Sequence, residues 1–201
     1  ATGPALAGQV LSRTRISDEA ADRFESLPSL GWAAFKFLLD RGVPAPAIVW
    51  PELPASTRVV FHGAQPLFDF EEEVEEDGVP ALLFLACDGD GRPCDIVAWS
   101  HSLQRVAAYF GATGVLGADD ILWFRLTDEN ALPVHRSPLE WLRADRFGVV
   151  IIDPAHAYVA LRDFGPFAAQ DEAHGRELRK LFRSREPKIF VPNMFAEGQA
   201  A

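Results

Sequence analysis

Residues 80–100 read PALLFLACDGDGRPCDIVAWS, two apolar runs separated by a stretch rich in Gly and Asp. Leu82 to Cys87 and Ile96 to Trp99 are apolar at odd and even positions alike, so each run predicts a strand covered on both faces. Asp88, Gly89, Asp90 and Gly91 tolerate positive φ, and Pro93 cannot donate to a central ladder. The reversal is therefore placed between Asp88 and Pro93, and the stretch reads as a β-hairpin that the rest of the chain must cover.

The flanking sequence supplies the candidate layers. Residues 1–16 show little periodicity and are expected to form a flexible arm. Ser17-Asp18-Glu19 predicts the start of a helix over 20–27, and Ser29 a cap for a helix from Trp32 to Asp40, stopped by Gly42 and Pro44. Ala47 to Trp50 and Arg58 to His62 read as short strands. Residues 66–78, with the acidic block Glu71, Glu72, Glu73, Glu75, Glu76 and Asp77, read as a solvated excursion. Beyond the hairpin, Ser102 predicts a cap for a helix from Leu103 to Phe110, Ile121 to Leu126 a strand, and Ser137-Pro138 a helix start. Gly148 to Ile152 is a buried strand, Asp153-Pro154 opens a helix to Arg162, Gln170 to Arg183 forms another, and Lys188 to Val191 returns as a strand. The expected class is α+β, a mixed β-sheet of about five to seven strands around the central hairpin and flanked by helices. One domain over residues 17–195 is expected, with a tail over 196–201.

Composition narrows the function classes. The 201 residues are 48% hydrophobic and 24% charged, a balance that supports a packed core. No apolar run approaches the length of a bilayer span, and no basic start leads into an apolar segment, so the expectation is a cytoplasmic protein with no membrane partner. The net charge of −10 opposes indiscriminate nucleic-acid binding. Yet Arg176, Arg179, Lys180, Arg183, Arg185 and Lys188 concentrate 6 of the 19 basic residues near the C-terminal end. On the helix over 170–183, Arg176, Arg179, Lys180 and Arg183 are candidate binding residues for a protein or nucleic-acid partner. The competing reading is a solvated face whose charges pair with Glu172 and Glu177.

Asp153 and His156 are the candidate catalytic pair. They lie where a buried strand runs into a helix, the place where α/β folds put reactive groups, and together they could orient a water or hold a metal. The plainer alternative is that Asp153 caps the helix while His156 faces solvent. Asp171 or His174 are the residues the fold could add to that pair. No metal site is predicted elsewhere and no cofactor: Asp88-x-Asp90 begins like a calcium loop, but Arg92, Pro93 and Trp99 break the pattern. Cys87 and Cys94 lack the further ligands zinc requires and are expected to be reduced thiols, a disulfide across the turn being the alternative. Asp171-Glu172-Ala173-His174 spells a helicase string without the phosphate-binding loop that gives it meaning, and no GxSxG elbow occurs. His62, His101 and His135 are dispersed singles, read as packed or surface histidines.

FKFLLDRGVP from Phe35, RVVFHG from Arg58, the hairpin from Pro80 and GATGVLG from Gly111 resemble the segment that precedes the catalytic part of Toprim-type primase and primase-helicase proteins of phages and plasmids. The resemblance covers about 80 residues. It implies an accessory role in nucleic-acid processing in a bacterium or mobile element. Those proteins are expected to hold magnesium through a Glu-Gly after one buried strand and an Asp-x-Asp after a later one; here the corresponding strands lead into Asp153-Pro154 and Pro192-Asn193. No catalytic residue is carried over. The expectation is a non-enzymatic accessory or binding protein, and the alternative a small metal-dependent hydrolase built on Asp153 and His156.

Overall fold

The structure is a computed structural model that describes residues 4–49, 52–119, 121, 131–162 and 164–183. The hairpin forms as its sequence requires. Strands β3 (Val79–Cys87) and β4 (Pro93–Ser100) pair antiparallel, with Leu83 opposite Ala98 and Leu85 opposite Ile96. The Asp88 side chain accepts from the Asp90 and Arg92 N–H groups at 2.9 and 3.1 Å, and Gly91 takes φ 75°. The Asp-Gly repeat thus serves turn chemistry.

The class is α+β, but the strands divide between two sheets. In the first, β1 (Ala55–Phe61), β2 (Phe68–Phe70) and β5 (Arg105–Ala108) join the hairpin in the order β2-β1-β3-β4-β5, every pair antiparallel. This sheet curls until its edges meet: Leu67 bridges Ala108, whose N–H donates to Pro66 O at 2.9 Å. The second sheet has the order β6-β8-β7-β9, from Val115–Leu116, Val149–Ile151, Leu132–His135 and Phe167–Ala168. Its β7 runs parallel to β8 and β9, while β6 is antiparallel to β8.

Alternation along the strands builds three layers of core. Leu83, Ile96 and Ala98 face inward with Val59, Phe68 and Phe70, and Phe24 and Leu27 close that space from the end of helix α1 (Pro4–Glu25). Leu82, Phe84, Val97 and Trp99 face the other way. There they meet Leu116 and Val150 of the second sheet and Ile152 just beyond it, together with Leu38 of α2 (Trp32–Leu39) and Ile48 of α3 (Ala45–Val49). On the far face of the second sheet, Val115, Leu132, Val134 and Val149 are covered by Ala157 and Leu161 of α5 (Pro154–Leu161) and Leu178 of α6 (Glu172–Phe182). Trp141 and Leu142 of α4 (Pro138–Arg143) belong to the middle layer.

Several elements differ from the sequence reading. Residues 45–49 are helical, because Pro46 sits within the first turn where its missing N–H costs nothing. Residues 105–108 form an edge strand, since pairing with Val97 to Ser100 outweighs the helical propensity of Ala107 and Ala108. Ser17 lies inside α1, which begins at Pro4, and α2 is preceded by Gly31 without a side-chain cap. The excursion over 66–78 is tied down: β2 lies in it, Glu71 accepts from Arg58 Nε at 2.8 Å and from Gly78 N–H at 2.9 Å, and Glu73 accepts from Tyr109. Of the strand expected over 121–126 only Ile121 is described, and it is helical. The strand over 188–191 and the tail over 196–201 lie outside the described residues.

One buried charge joins the sheets. Asp95, on β4, is fully buried, and its carboxylate accepts from the backbone N–H groups of Ile96, Tyr109, Phe110, Ala112 and Thr113 at 2.6–3.2 Å. Burial pushes this carboxyl above its usual range, and the Phe110, Ala112, Ile96 and Thr113 N–H groups pull against that shift. Asp95→Ala would leave the buried Ile96 and Thr113 N–H groups without this acceptor, while Tyr109 N–H keeps Ile96 O at 2.9 Å and Ala112 lies exposed to water. Unsatisfied buried groups cost about 1–3 kcal/mol each, so urea denaturation is expected to show a loss of at least about 2 kcal/mol. A smaller loss would mean that water replaces the carboxylate.

Glu71 adds a pH dependence. Arg58, followed by the Gly78 N–H, holds its carboxyl below the ordinary value of 4.5. A carboxyl lowered on folding contributes stability that is present above its unfolded value and is lost as pH falls through its folded one. Melting temperatures measured across the acid range should therefore fall less steeply below about pH 4.5 in Glu71→Gln than in the parent.

Candidate functional site

Asp153 and His156 do meet. Asp153 is the N-cap of α5: its Oδ1 accepts from Ala155 N–H at 2.9 Å, and its Oδ2 lies 2.7 Å from His156 Nδ1. The carboxylate is 21% exposed and the imidazole 58%. Their position is set by the close approach of Gly114, whose carbonyl accepts from Ile152 and Asp153 N–H groups. A Cβ on Gly114 would lie 2.2 Å from Ala157 N, so only glycine lets the loop reach the start of α5.

Two adjoining hollows, of about 720 and 270 Å³, open beside this pair. Their walls come from the β1–β2 turn (Gln65, Pro66), the β4–β5 turn (Gln104) and Arg105, with Asp153 common to both and His156 lining the smaller. Arg105 is already engaged: Nη2 donates to His62 O and Gln65 O at 3.0 and 2.8 Å, and the guanidinium stands 5.0 Å from the Phe61 ring centre. Asp171 and His174 do not line these hollows. Asp171 caps α6 through His174 N–H at 2.8 Å, which with Arg136 holds its carboxyl below the usual range. His174 is buried, which lowers its basicity, and its Nδ1 accepts from Gln170 N–H. The pair is thus a cap with an exposed imidazole, and the fold adds neither of the two residues the sequence suggested.

The basic helix is sorted into two halves. Its N-terminal half is neutralised, with Arg176 pairing to Glu172 at 2.6 Å and Arg136 bridging Asp171 at 3.0 Å and Glu177 at 3.8 Å. His174 and Leu178 anchor it in the core. The acidic residues that could have balanced the face are therefore engaged elsewhere. Arg179, Lys180 and Arg183 are exposed and have no ion-pair partner among the described residues. Of the four candidate binding residues, Arg176 is the one held within the helix.

A third feature escaped sequence reasoning. A cleft of about 600 Å³ lies between the sheets, lined by Phe84, Cys87, Asp119, Trp141 and Arg146, among others. Arg146 donates to Ala47 O and Glu52 O at 2.7 Å and to Ile48 O at 3.3 Å, and burial pushes its guanidinium down to about 10. It follows Asp145, both in the left-handed region at φ 62° and 56°. No glycine marked the turn, so no local signal was available. Cys87 and Cys94 are free thiols pushed up to about 12 by burial, far from thiolate reactivity at neutral pH. The single histidines have structural partners: His62 with Asp69 at 2.7 Å, His101 with Gln104 at 3.1 Å, and His135 with the Phe147 carbonyl at 2.8 Å.

Compared with family models, with curated proteins and with solved structures, the chain finds no match.

If Asp153 acts as a cap, Asp153→Ala lowers stability by about 0.5–2 kcal/mol, while the exposed His156→Ala changes it by less than about 0.5 kcal/mol. Thermal melting with and without Zn²⁺ completes the test. A zinc-dependent rise seen in the parent and absent from both variants would identify a ligand pair instead.

Proposed function

We propose that this chain is a non-enzymatic binding module that meets the phosphates of nucleic acid through the exposed cationic end of α6. The observation that carries the reading is the segregation of charge on that helix. Glu172 and Glu177 are each engaged by another cation, leaving Arg179, Lys180 and Arg183 exposed on an element anchored by His174 and Leu178. Such a local patch attracts phosphate by releasing condensed counterions, even on a chain whose net charge is −10. The likeness of residues 35–117 to the segment before the catalytic part of primases favours nucleic acid over an acidic protein as the partner. Arg185 and Lys188 continue the basic run in the sequence.

A small metal-dependent hydrolase is the second reading, favoured by the 2.7 Å contact of Asp153 with His156 beside an open hollow. It needs a further ligand. Among the described residues no group of three or more His, Cys, Asp and Glu stands close enough to hold a metal, which ranks it below the first. The zinc-dependent melting described above separates the two.

Fluorescence anisotropy with a labelled oligonucleotide tests the binding reading. Three phosphate contacts predict a log–log salt slope of roughly −2 to −3. Replacing Arg179, Lys180 and Arg183 together by Glu should abolish binding with the melting temperature nearly unchanged. Equal binding by that variant would overturn the assignment.

A further inference from the structure

We infer that the nucleic acid taken by α6 is single-stranded, its bases stacking on an aromatic cluster that flanks the cationic face. This rests on the nucleic-acid reading of α6 and adds the strand state of the ligand. Three half-buried rings meet beside the helix. Phe182 stacks on Phe167 with centroids 4.6 Å apart and planes 11° apart, and Tyr158 of α5 lies 6.5 Å from Phe182 at 32°. Next to Tyr158 in sequence, Val159 is 61% exposed.

Helical spacing puts these rings against the charges. Arg179, Phe182 and Arg183 stand at i, i+3 and i+4, so the ring that belongs to the cluster lies on the face shared by two of the three free cations. The order around the helix runs from buried Leu178, through half-buried Phe182, to exposed Arg179 and Arg183. A strip of this kind has an apolar aromatic margin and a cationic crest.

That combination discriminates between nucleic-acid forms. Cations alone serve any phosphate backbone, duplex or single. Aromatic rings contribute only where base faces are free, and in a duplex those faces are stacked on one another. Stacking is also sequence-tolerant, since every base has a π-face. The surface should accordingly prefer single strands without reading their sequence.

The test titrates the full chain with a labelled single-stranded oligonucleotide and with the duplex of the same sequence, by anisotropy at fixed salt. Tyr158→Leu keeps apolar bulk and removes the π-face, and thermal melting verifies that it folds. The expected result is tighter binding of the single strand, a loss of roughly fivefold or more in Tyr158→Leu, recovery of that loss in Tyr158→Phe, and duplex affinity indifferent to either change. Equal affinity for both forms, or a Tyr158→Leu variant that binds the single strand as the parent does, overturns the inference while leaving the cationic reading in place. Absence of binding to either form overturns both.

Discussion

A buried carboxyl, with no cation beside it among the described residues, ties the first sheet to the loop that leads into the second. Asp95 is fully buried and takes its compensation from five backbone N–H groups, four of them in the loop from Tyr109 to Thr113. Backbone dipoles fixed in this way stabilise a buried anion without the entropy of ordering a long cationic side chain. The consequence is geometric. A loop that leaves the edge strand β5 is wound around one point, and Gly114 emerges where its carbonyl receives Ile152 and Asp153 N–H groups. The end of β8, the start of α5 and the Asp153–His156 contact thus follow from a loop anchored on β4 of the other sheet.

The same economy of cross-links recurs with the arginines. Arg146 joins the end of α4 to α3 through the carbonyls of Ala47, Ile48 and Glu52, and Arg143 donates to Arg41 O at 2.6 Å. Arg105 fixes the β1–β2 turn through His62 O and Gln65 O. Each guanidinium has several donors in a rigid fork, and each satisfies carbonyls that no strand or helix would otherwise employ. Side chains therefore tie the β1–β2 turn to β5, and the end of α4 to the segments around α3, across long stretches of sequence.

That distinction explains how far the sequence could be read. The hairpin was legible because apolarity on both faces is a local property, and the helix starts at Ser137-Pro138, Asp153-Pro154 and Asp171 were legible because capping is decided within three residues. Residues 105–108 were not, since Val106 and Ala107 become a strand only by pairing with Trp99 and Ala98. The acidic block misled for the same reason: Glu71 finds Arg58 and Glu73 finds Tyr109, partners that no local pattern announces. Of the candidate site, the meeting of Asp153 and His156 followed from helical spacing, but the hollow beside them is built from two distant turns. A lone Asp among the apolar residues of β4 was the available sign of the buried hub.

Most of the described cations other than Arg179, Lys180 and Arg183 are engaged, Arg15 and Arg92 being exposed exceptions that stand singly. Arg23, Lys36, Arg58, Arg136 and Arg176 are engaged by carboxylates. Arg41, Arg105, Arg143 and Arg146 donate to backbone carbonyls. A chain with 29 acidic and 19 basic residues has carboxylates in excess, so any exposed cation has abundant opportunity to be paired. Arg179, Lys180 and Arg183 nevertheless stand together on one helix with no ion pair formed among the described residues, Glu177 turning to Arg136 instead. Exposed pairs contribute little to stability, so leaving these three unpaired costs the fold almost nothing. It keeps a cationic surface available that the remainder of this acidic molecule would otherwise neutralise.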